Sequence, residues 1–411
     1  MASGPPRRTP GLVEPWPRPV HGPRRMWRDV DRTQVVNGLV GAIFSMTGPM
    51  AVILTAAGLA GLSSAEVSSW IFGVFCLNGV LTILASWLYR QPLAFFWTIP
   101  GTVIVGRAAT HLPWSEVVGA YLLTALLLLA VGLLGRIDRI MQALPMPVVM
   151  AMVAGVFLSF GTGMVDAVAD AWVVAVPMVA AYLAVVLLPR VGAWVPPIVA
   201  AVLAGVAAVV LTGEYAPVAG ADRVFATPVL QQPAFSWAAT AELVVPLAVT
   251  VVFVQNAQGM AVLSAAGHRA PMRFSTIACG LWSLPAAVVG GVSTCLTGPT
   301  NALLTASGRR EGQYVGAITC GMVAVGFGLT APAFVGALLA MPAAFIAVLA
   351  GLALLKALSG AFSVAFSGVV TAPLLTFLVT VSEVAPLNLG APFWGLLTGL
   401  VAGWLVERVS D

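Results

Sequence analysis

From Val35 to the C-terminus, apolar stretches of roughly 15 to 25 residues follow one another with almost no charge inside them, and a helix of about 20 residues crosses a hydrocarbon core of about 30 Å. This pattern constrains the fold more than any motif. A water-soluble chain of 411 residues needs charge on its surface, whereas 8% of this one is charged and 60% is hydrophobic. Too many segments are apolar on every face for a single buried core to hold them. The chain reads as an all-α polytopic membrane protein.

Composition also narrows the function. Cys76, Cys279, Cys295 and Cys320 lie in apolar segments without CxxC spacing, so they read as small buried hydrophobes and not as a disulfide framework or metal site. There is no HExxH, GxSxG or P-loop sequence and no cluster of acid, base and nucleophile at one depth. Neither an enzyme nor a cofactor is expected. Residues 1–32 are rich in Pro and Arg and lack the apolar core of a signal peptide, which predicts a disordered cytoplasmic tail. Its arginines (Arg7, Arg8, Arg18, Arg24, Arg25, Arg28 and Arg32) outweigh Glu14, Asp29 and Asp31 and dominate the net charge of +4. Anionic lipid is a sufficient partner for them, without nucleic acid.

Apolar segments of full length lie near residues 34–58, 64–88, 117–135, 145–163, 170–188, 195–212, 238–262, 273–291, 314–331, 336–356, 364–382 and 391–407. Two shorter ones, 93–108 and 293–307, carry Pro-Gly or Gly-Pro near their middle. Basic residues gather on the cytoplasmic side, so charge decides whether the short segments cross. If both cross, Arg90, Arg136, Arg139, Arg190, Arg269, Arg273, Arg309, Arg310, Lys356 and Arg408 join the tail inside, leaving only Arg107 and Arg223 of the 19 Lys and Arg residues outside. If neither crosses, Arg136, Arg139, Arg190, Arg269 and Arg273 move out. About 14 crossings with both termini cytoplasmic are favoured.

The sequence also repeats. Ile53–Leu59 (ILTAAGL) resembles Val262–His268 (VLSAAGH), Gly119-Ala120 aligns with Gly316-Ala317, and Ala143-Leu144-Pro145 with Ala340-Met341-Pro342. A slip of one residue then brings Ala154-Gly155 onto Ala350-Gly351. Two halves of seven spans, an odd number, must enter the membrane in opposite orientations, which is an inverted-repeat transporter architecture. The domains expected are the tail 1–32, a first seven-span repeat over 33–213, a periplasmic linker 214–237 and a second repeat over 238–411.

The short segments hold Thr98-Ile99-Pro100-Gly101-Thr102 and Thr297-Gly298-Pro299-Thr300-Asn301. Proline fits the first helical turn and a preceding Thr can cap it. Each segment therefore reads as extended chain followed by a half-helix that begins inside the membrane, near Thr102 and Thr300. Backbone that is neither helix nor sheet persists in a bilayer only inside protein or beside a watery cavity, so the two knots should face each other. Helix N-termini carry about half a positive charge and free N–H donors, which makes an anion site without Lys or Arg. None of those residues is expected at the centre of a span.

The eighth span adds Gln255-Asn256-Ala257-Gln258. Carboxamides at membrane depth need a partner or a ligand, and hydrogen bonding between helices is the alternative to a binding role. Ser45, Thr47, Gly48 and Pro49 occupy the equivalent region of the first span, where packing or a kink explains them as well as binding does. The candidate substrate-binding residues are Ser45, Thr47, Thr98, Pro100, Gly101, Thr102, Gln255, Asn256, Gln258, Thr297, Thr300 and Asn301.

WLYRQPLAFFWTIPGTVIV (Trp87 to Val105), FVQNAQGMAVLSAAGHRAP (Phe253 to Pro271) and LLTFLVTVSEVAPLNLGAPFWGLLTGLVAG (Leu374 to Gly403) resemble the benzoate/proton symporter family, BenE, over roughly residues 34 to 408. That family is related in fold to uracil/xanthine permeases and sulfate transporters. The resemblance implies a core of spans one to four and eight to eleven, a gate of spans five to seven and twelve to fourteen, and proton-coupled uptake of a small aromatic carboxylate across a bacterial inner membrane. It also implies a homodimer through the gate. The position of the eighth-span carboxylate that holds substrate in nucleobase permeases matches Gln255, which favours an anion. The chain departs from the family in having Gly291-Val292 and Cys295 where a Gly-His pair and an Asn are usual.

No Asp, Glu or His is expected at the centre of a span. Glu242 precedes Gln255 by about 20 Å of helix, Glu383 falls near an outer loop, His111 flanks the third segment and His268 lies at a cytoplasmic end. A membrane enzyme and a channel account for fewer of these features than a secondary transporter. A nucleobase or inorganic-anion carrier of the same fold, or an exporter of an organic acid, shares them.

Overall fold

A computed structural model describes residues 13–15, 26, 28–135, 145–188, 192, 195–216, 224–368, 370–382, 384, 386 and 390–410. The first half holds α1 (Arg32–Leu59), α2 (Ser64–Tyr89), β1 (Phe95–Trp97) with α3 (Ile99–Ala108), α4 (Trp114–Leu134), α5 (Met146–Asp170), α6 (Trp172–Leu187) and α7 (Pro197–Thr212). The second holds α8 (Trp237–Ala265), α9 (Met272–Val288), β2 (Thr294–Leu296) with α10 (Gly298–Leu304), and α11 (Gln313–Leu329). A short α12 (Ala331–Leu339) leads to α13 (Ala343–Ala365), α14 (Thr371–Val381) and α15 (Ala391–Ser410). With each strand and its half-helix counted as one segment, and α12 as a connector, the described residues give seven segments on each side.

The repeat is visible in how helices pair. A pseudo-symmetry that exchanges segments two and nine, and four and eleven, turns the pair α2–α11 into the pair α9–α4. Both pairs pack closely in the structure, and glycine lets the backbones approach in both. A Cβ on Gly79 would lie 2.7 Å from Gly321 O, and one on Gly321 would lie 2.8 Å from Gly79 O. In the other pair, a Cβ on Gly280 would lie 2.5 Å from Leu129 N. Pro145 and Pro342, aligned in the sequence repeat, stand at the N-caps of α5 and α13, which pack along each other. Segments α1–α4 pack mainly with α8–α11, the group expected as the core, and α5–α7 mainly with α13–α15, the group expected as the gate.

This packing carries a test. Gly321→Val forces apart two backbones in contact and is expected to destabilise the fold by about 1–3 kcal/mol, as overpacking does. Gly326→Val on the same helix, where a Cβ meets nothing within 4 Å, is expected to behave like the parent. Thermal stability of the two detergent-extracted variants separates these outcomes.

Several expected boundaries are corrected. The span expected over 336–356 is Ala343–Ala365, because Pro342 caps a new helix after the short α12, and the uninterrupted apolar sequence hides that break. Lys356 consequently lies inside α13, exposed on its surface, and not at a helix end. The thirteenth span is Thr371–Val381, shorter than 364–382, because α13 runs on to Ala365 and a turn at Phe366 followed by a bend at Ser367-Gly368 ends it. The half-helices begin at Ile99 and Gly298, earlier than Thr102 and Thr300, since Pro100 and Pro299 each take the second helical position.

Most of the 1–32 tail lies outside the described residues, as do Arg136, Arg139, Arg190, Asp222, Arg223 and Glu383. Where the tail is described, it docks. The Glu14 carboxylate accepts from the amides of Arg273 and Phe274 at the start of α9, and Asp29 pairs with Arg90 at 2.7 Å and accepts the Tyr314 hydroxyl at 2.8 Å. Residues 224–236 form an extended strap, held by Ala226 N to Leu329 O, Gln231 N to Val288 O and Ala234 N to Ser115 O. The four cysteines are buried and unpaired, as expected.

Candidate functional site

Breaking two helices at membrane depth frees backbone N–H and C=O groups that have no water to turn to. Here they satisfy one another. β1 and β2 run antiparallel with Phe95 opposite Leu296, Phe96 opposite Cys295 and Trp97 opposite Thr294. Thr98 N to Ser293 O and Thr297 N to Ala94 O, both 3.1 Å, extend the ladder at its ends. The two knots do face each other.

The outward edges of this ribbon are met by side chains. Thr82 Oγ1 accepts from Phe95 N at 2.8 Å, Ser86 Oγ from Leu93 N at 3.1 Å, Ser283 Oγ from Thr294 N at 2.8 Å and Asn256 Oδ1 from Leu296 N at 2.8 Å. Asn301 reaches across from α10: its Oδ1 accepts from Ala94 N at 3.0 Å, and its Nδ2 donates to Thr297 O at 2.7 Å. Asn256 and Asn301 therefore build the crossing. A role in holding the backbone, left open by the sequence, is what their geometry displays.

The start of α3 is locked by Thr98. Its hydroxyl accepts from Gly101 N at 3.1 Å and donates to Thr250 Oγ1 at 2.9 Å, while Thr102 Oγ1 donates back to Thr98 O. Gly101 is required because a Cβ there would overlap the Thr98 side chain. Thr297 lends its backbone to the ladder and makes no side-chain cap. Thr300 meets Ser45 hydroxyl to hydroxyl at 3.1 Å, which joins α10 to α1. Thr47 turns back on its own helix, donating to Ile43 O, and marks the bend in α1. This is the kink alternative.

Gln255 differs from its neighbours. It is 3% exposed, on an under-wound (π-type) stretch of α8, Thr250–Asn256, between Thr250, which touches the α3 cap, and Asn256, which holds β2. Among the described residues no hydrogen-bond partner meets its carboxamide. Such widened turns recur at functional sites because they turn side chains out of regular register. Gln258 is exposed, and its carboxamide lies so close to Gly298 that a side chain there would collide with it.

At the outer side of the core the structure brings together residues that stand far apart in the sequence. A cavity of about 530 Å³ opens between core and gate, with Arg107, His111 and Glu242 in its wall. Glu242 Oε2 lies 3.0 Å from His111 Nε2, although 131 residues separate the two. The missed signal was that Arg107, His111 and Glu242 all fall at the outer ends of segments three and eight. Along its own helix Glu242 is distant from Gln255, and its partner lies on another segment. No group of three or more potential metal-ligating side chains occurs among the described residues.

Two broken segments crossing in a core that packs against a separate gate define a membrane transporter fold. The transmembrane domain of the cyanobacterial bicarbonate transporter BicA aligns with a TM-score of 0.61 at 15% identity, covering 92% of this chain and 97% of that one. SLC26A9 aligns with a TM-score of 0.65 at 14% identity over 92% of this chain, which spans 65% of the SLC26A9 chain. At such identities the likeness is one of fold. The chain belongs to the BenE family, described as "Benzoate membrane transport protein", whose profile matches residues 28–405. The "Benzoate membrane transport protein" of Acinetobacter baylyi is 29% identical over 388 residues, covering 93% of this chain and 97% of the relative. "Inner membrane protein YdcO" of Escherichia coli is 28% identical over 382 residues, covering 91% and 96%. The family and its fold relatives are transporters and not enzymes.

Proposed function

We propose that this protein takes up a small aromatic carboxylate such as benzoate across a bacterial inner membrane, with protons as the coupling ion, by alternating movement of core against gate. Both termini would face the cytoplasm, residues 33–213 and 238–411 would be the two repeats, and the gate would supply a dimer interface. The observation that carries the reading is Gln255, buried and uncommitted on the stretch of α8 that touches both the α3 cap and β2. Its carboxamide can donate to a carboxylate without repelling it, and the N-terminal end of α3 favours negative charge nearby. Thr98, Pro100, Gly101, Thr102, Thr300 and Ser45 would shape the site, with Thr297, Asn256, Asn301, Gln258 and Thr47 supporting it from the crossing and from the α1 bend.

Radiolabelled benzoate uptake into proteoliposomes with an inward proton gradient tests this directly. Accumulation that disappears when the gradient is collapsed is expected. Absence of benzoate uptake and counterflow, with transport of a nucleobase or sulfate instead, would overturn the substrate assignment.

A further inference from the structure

The outer cavity has features that the buried crossing lacks. Its wall joins core and gate residues: Arg107 and His111 at the end of α3, Glu242 at the start of α8, and Ser159, Phe160 and Phe393 from α5 and α15. A volume of 530 Å³ falls within the range of small-molecule sites, which are mainly apolar with a few convergent polar groups. Two aromatic side chains and a cationic edge suit a flat ring that bears one carboxylate.

Glu242 gives the cavity a second property. Its side chain is nearly buried, Oε2 contacts His111, and on the other side Gly390, just before α15, leaves room for Oε1, since any side chain there would overlap it. The carboxyl group thus stands on the seam between core and gate. Among the described residues, the charged or titratable groups on the elements packed around it are His111, Arg107, Glu116 and the buried Tyr121 of α4, and Glu407 and Arg408 near the far end of α15; Glu116 is occupied by the Ser236 hydroxyl. Arg107 is engaged in a further interaction as well, so it contributes charge to the wall while retaining its own contact.

We propose that this cavity is an outer binding site for an aromatic monocarboxylate, which Arg107 and His111 attract and which binds together with a proton taken up by Glu242. The inference rests on the function proposed above. An anion arriving beside an ionised Glu242 is repelled by it, and a proton from the outer solution that neutralises the carboxylate removes the repulsion. Anion and proton therefore favour each other's binding, and linkage makes that preference reciprocal. No bond is made or broken beyond the O–H bond on Glu242.

Two measurements on the purified full-length protein test this. In a Gly163→Cys variant the new thiol lies on the cavity wall, where a Cβ meets nothing within 4 Å, while all four natural cysteines are buried. Benzoate is expected to slow labelling by a charged methanethiosulfonate reagent, and to do so also when Gln255→Ala is added. Calorimetry of benzoate binding in buffers of different ionisation enthalpy is expected to show net proton uptake by the parent, with about tenfold tighter binding at the low end of a pH 5.5–7.5 range. A free benzoic acid stays ionised there, as carboxyls of pKa about 4 do. Glu242→Gln, close in shape and able to keep contact with His111, is expected to bind benzoate without proton uptake, and Arg107→Gln to bind it more weakly.

Failure of benzoate to bind the parent at all overturns the aromatic-carboxylate reading and this inference with it. Binding without protection at Gly163→Cys, protection lost with Gln255→Ala, or unchanged proton uptake by Glu242→Gln overturns this inference alone. A Glu242→Gln protein that fails to fold leaves the labelling experiment to decide.

Discussion

Asn301→Ala is expected to abolish transport, lowering the initial uptake rate by about a hundredfold, and to destabilise the fold by about 1–3 kcal/mol. The reasons are local. Asn301 Oδ1 is the acceptor that the structure provides for Ala94 N, and both residues are fully buried. The carbonyls it serves are better protected, because Ala94 O also accepts from Thr297 N and Thr297 O also accepts from Asn301 N. Truncation therefore orphans one buried amide and loosens the crossing that positions both half-helices. Asn301→Asp keeps the acceptor for Ala94 N but turns a carboxylate oxygen toward Thr297 O, so it should also fail. Thr305→Ala is the control, since the Thr305 hydroxyl bonds only back to α10 carbonyls, those of Asn301 and Ala302, and its loss should change stability by less than about 0.5 kcal/mol. Thermal unfolding and proteoliposome uptake measured on the three variants check the series. Native stability and uptake in Asn301→Ala would sink the structural role assigned to this carboxamide.

Gln255→Glu is expected to leave the fold intact and remove benzoate uptake at pH 7.5. The side chains are nearly the same size, so what changes is charge. Two like charges about 4 Å apart at an effective dielectric constant near 20 oppose each other by about 4 kcal/mol, close to a thousandfold in affinity. Gln255→Asn, which keeps the amide but shortens its reach, should retain part of the activity. Concentration dependence of uptake is the readout, with the loss in Gln255→Glu expected in apparent KM before kcat. Parent-like uptake by Gln255→Glu would remove Gln255 from the substrate site.

How much was legible in the sequence depended on the range of the interaction. Pro100 and Pro299 act within one turn of helix, so the two broken segments and their half-helices could be read directly, with starts placed three residues late in α3 and two in α10. Pro145 and Pro342 align across the repeat for the same reason. The region after α11 was less legible, because Ala331 to Lys356 is apolar almost throughout, with Pro332 and Pro342 as its only breaks. A boundary inside uniformly apolar sequence is set by packing, and Lys356 was displaced with it. Asn256 and Asn301 were recognisable as polar groups that need partners. Whether those partners were ligand or backbone depended on strands about 40 and 207 residues away.

The sequence alone determined a membrane protein of about fourteen segments, two of them broken, with the family resemblance and repeat that follow. Hydropathy, charge asymmetry and proline act locally, and the bilayer turns those local signals into topology. Only the tertiary structure decided that Asn301 holds the ribbon, that Gln255 is left uncommitted, and that His111 and Glu242 meet at the outer cavity. Each of those facts is a distance between segments far apart in the chain, set when helices close over glycines such as Gly79 and Gly321, and no local pattern encodes it.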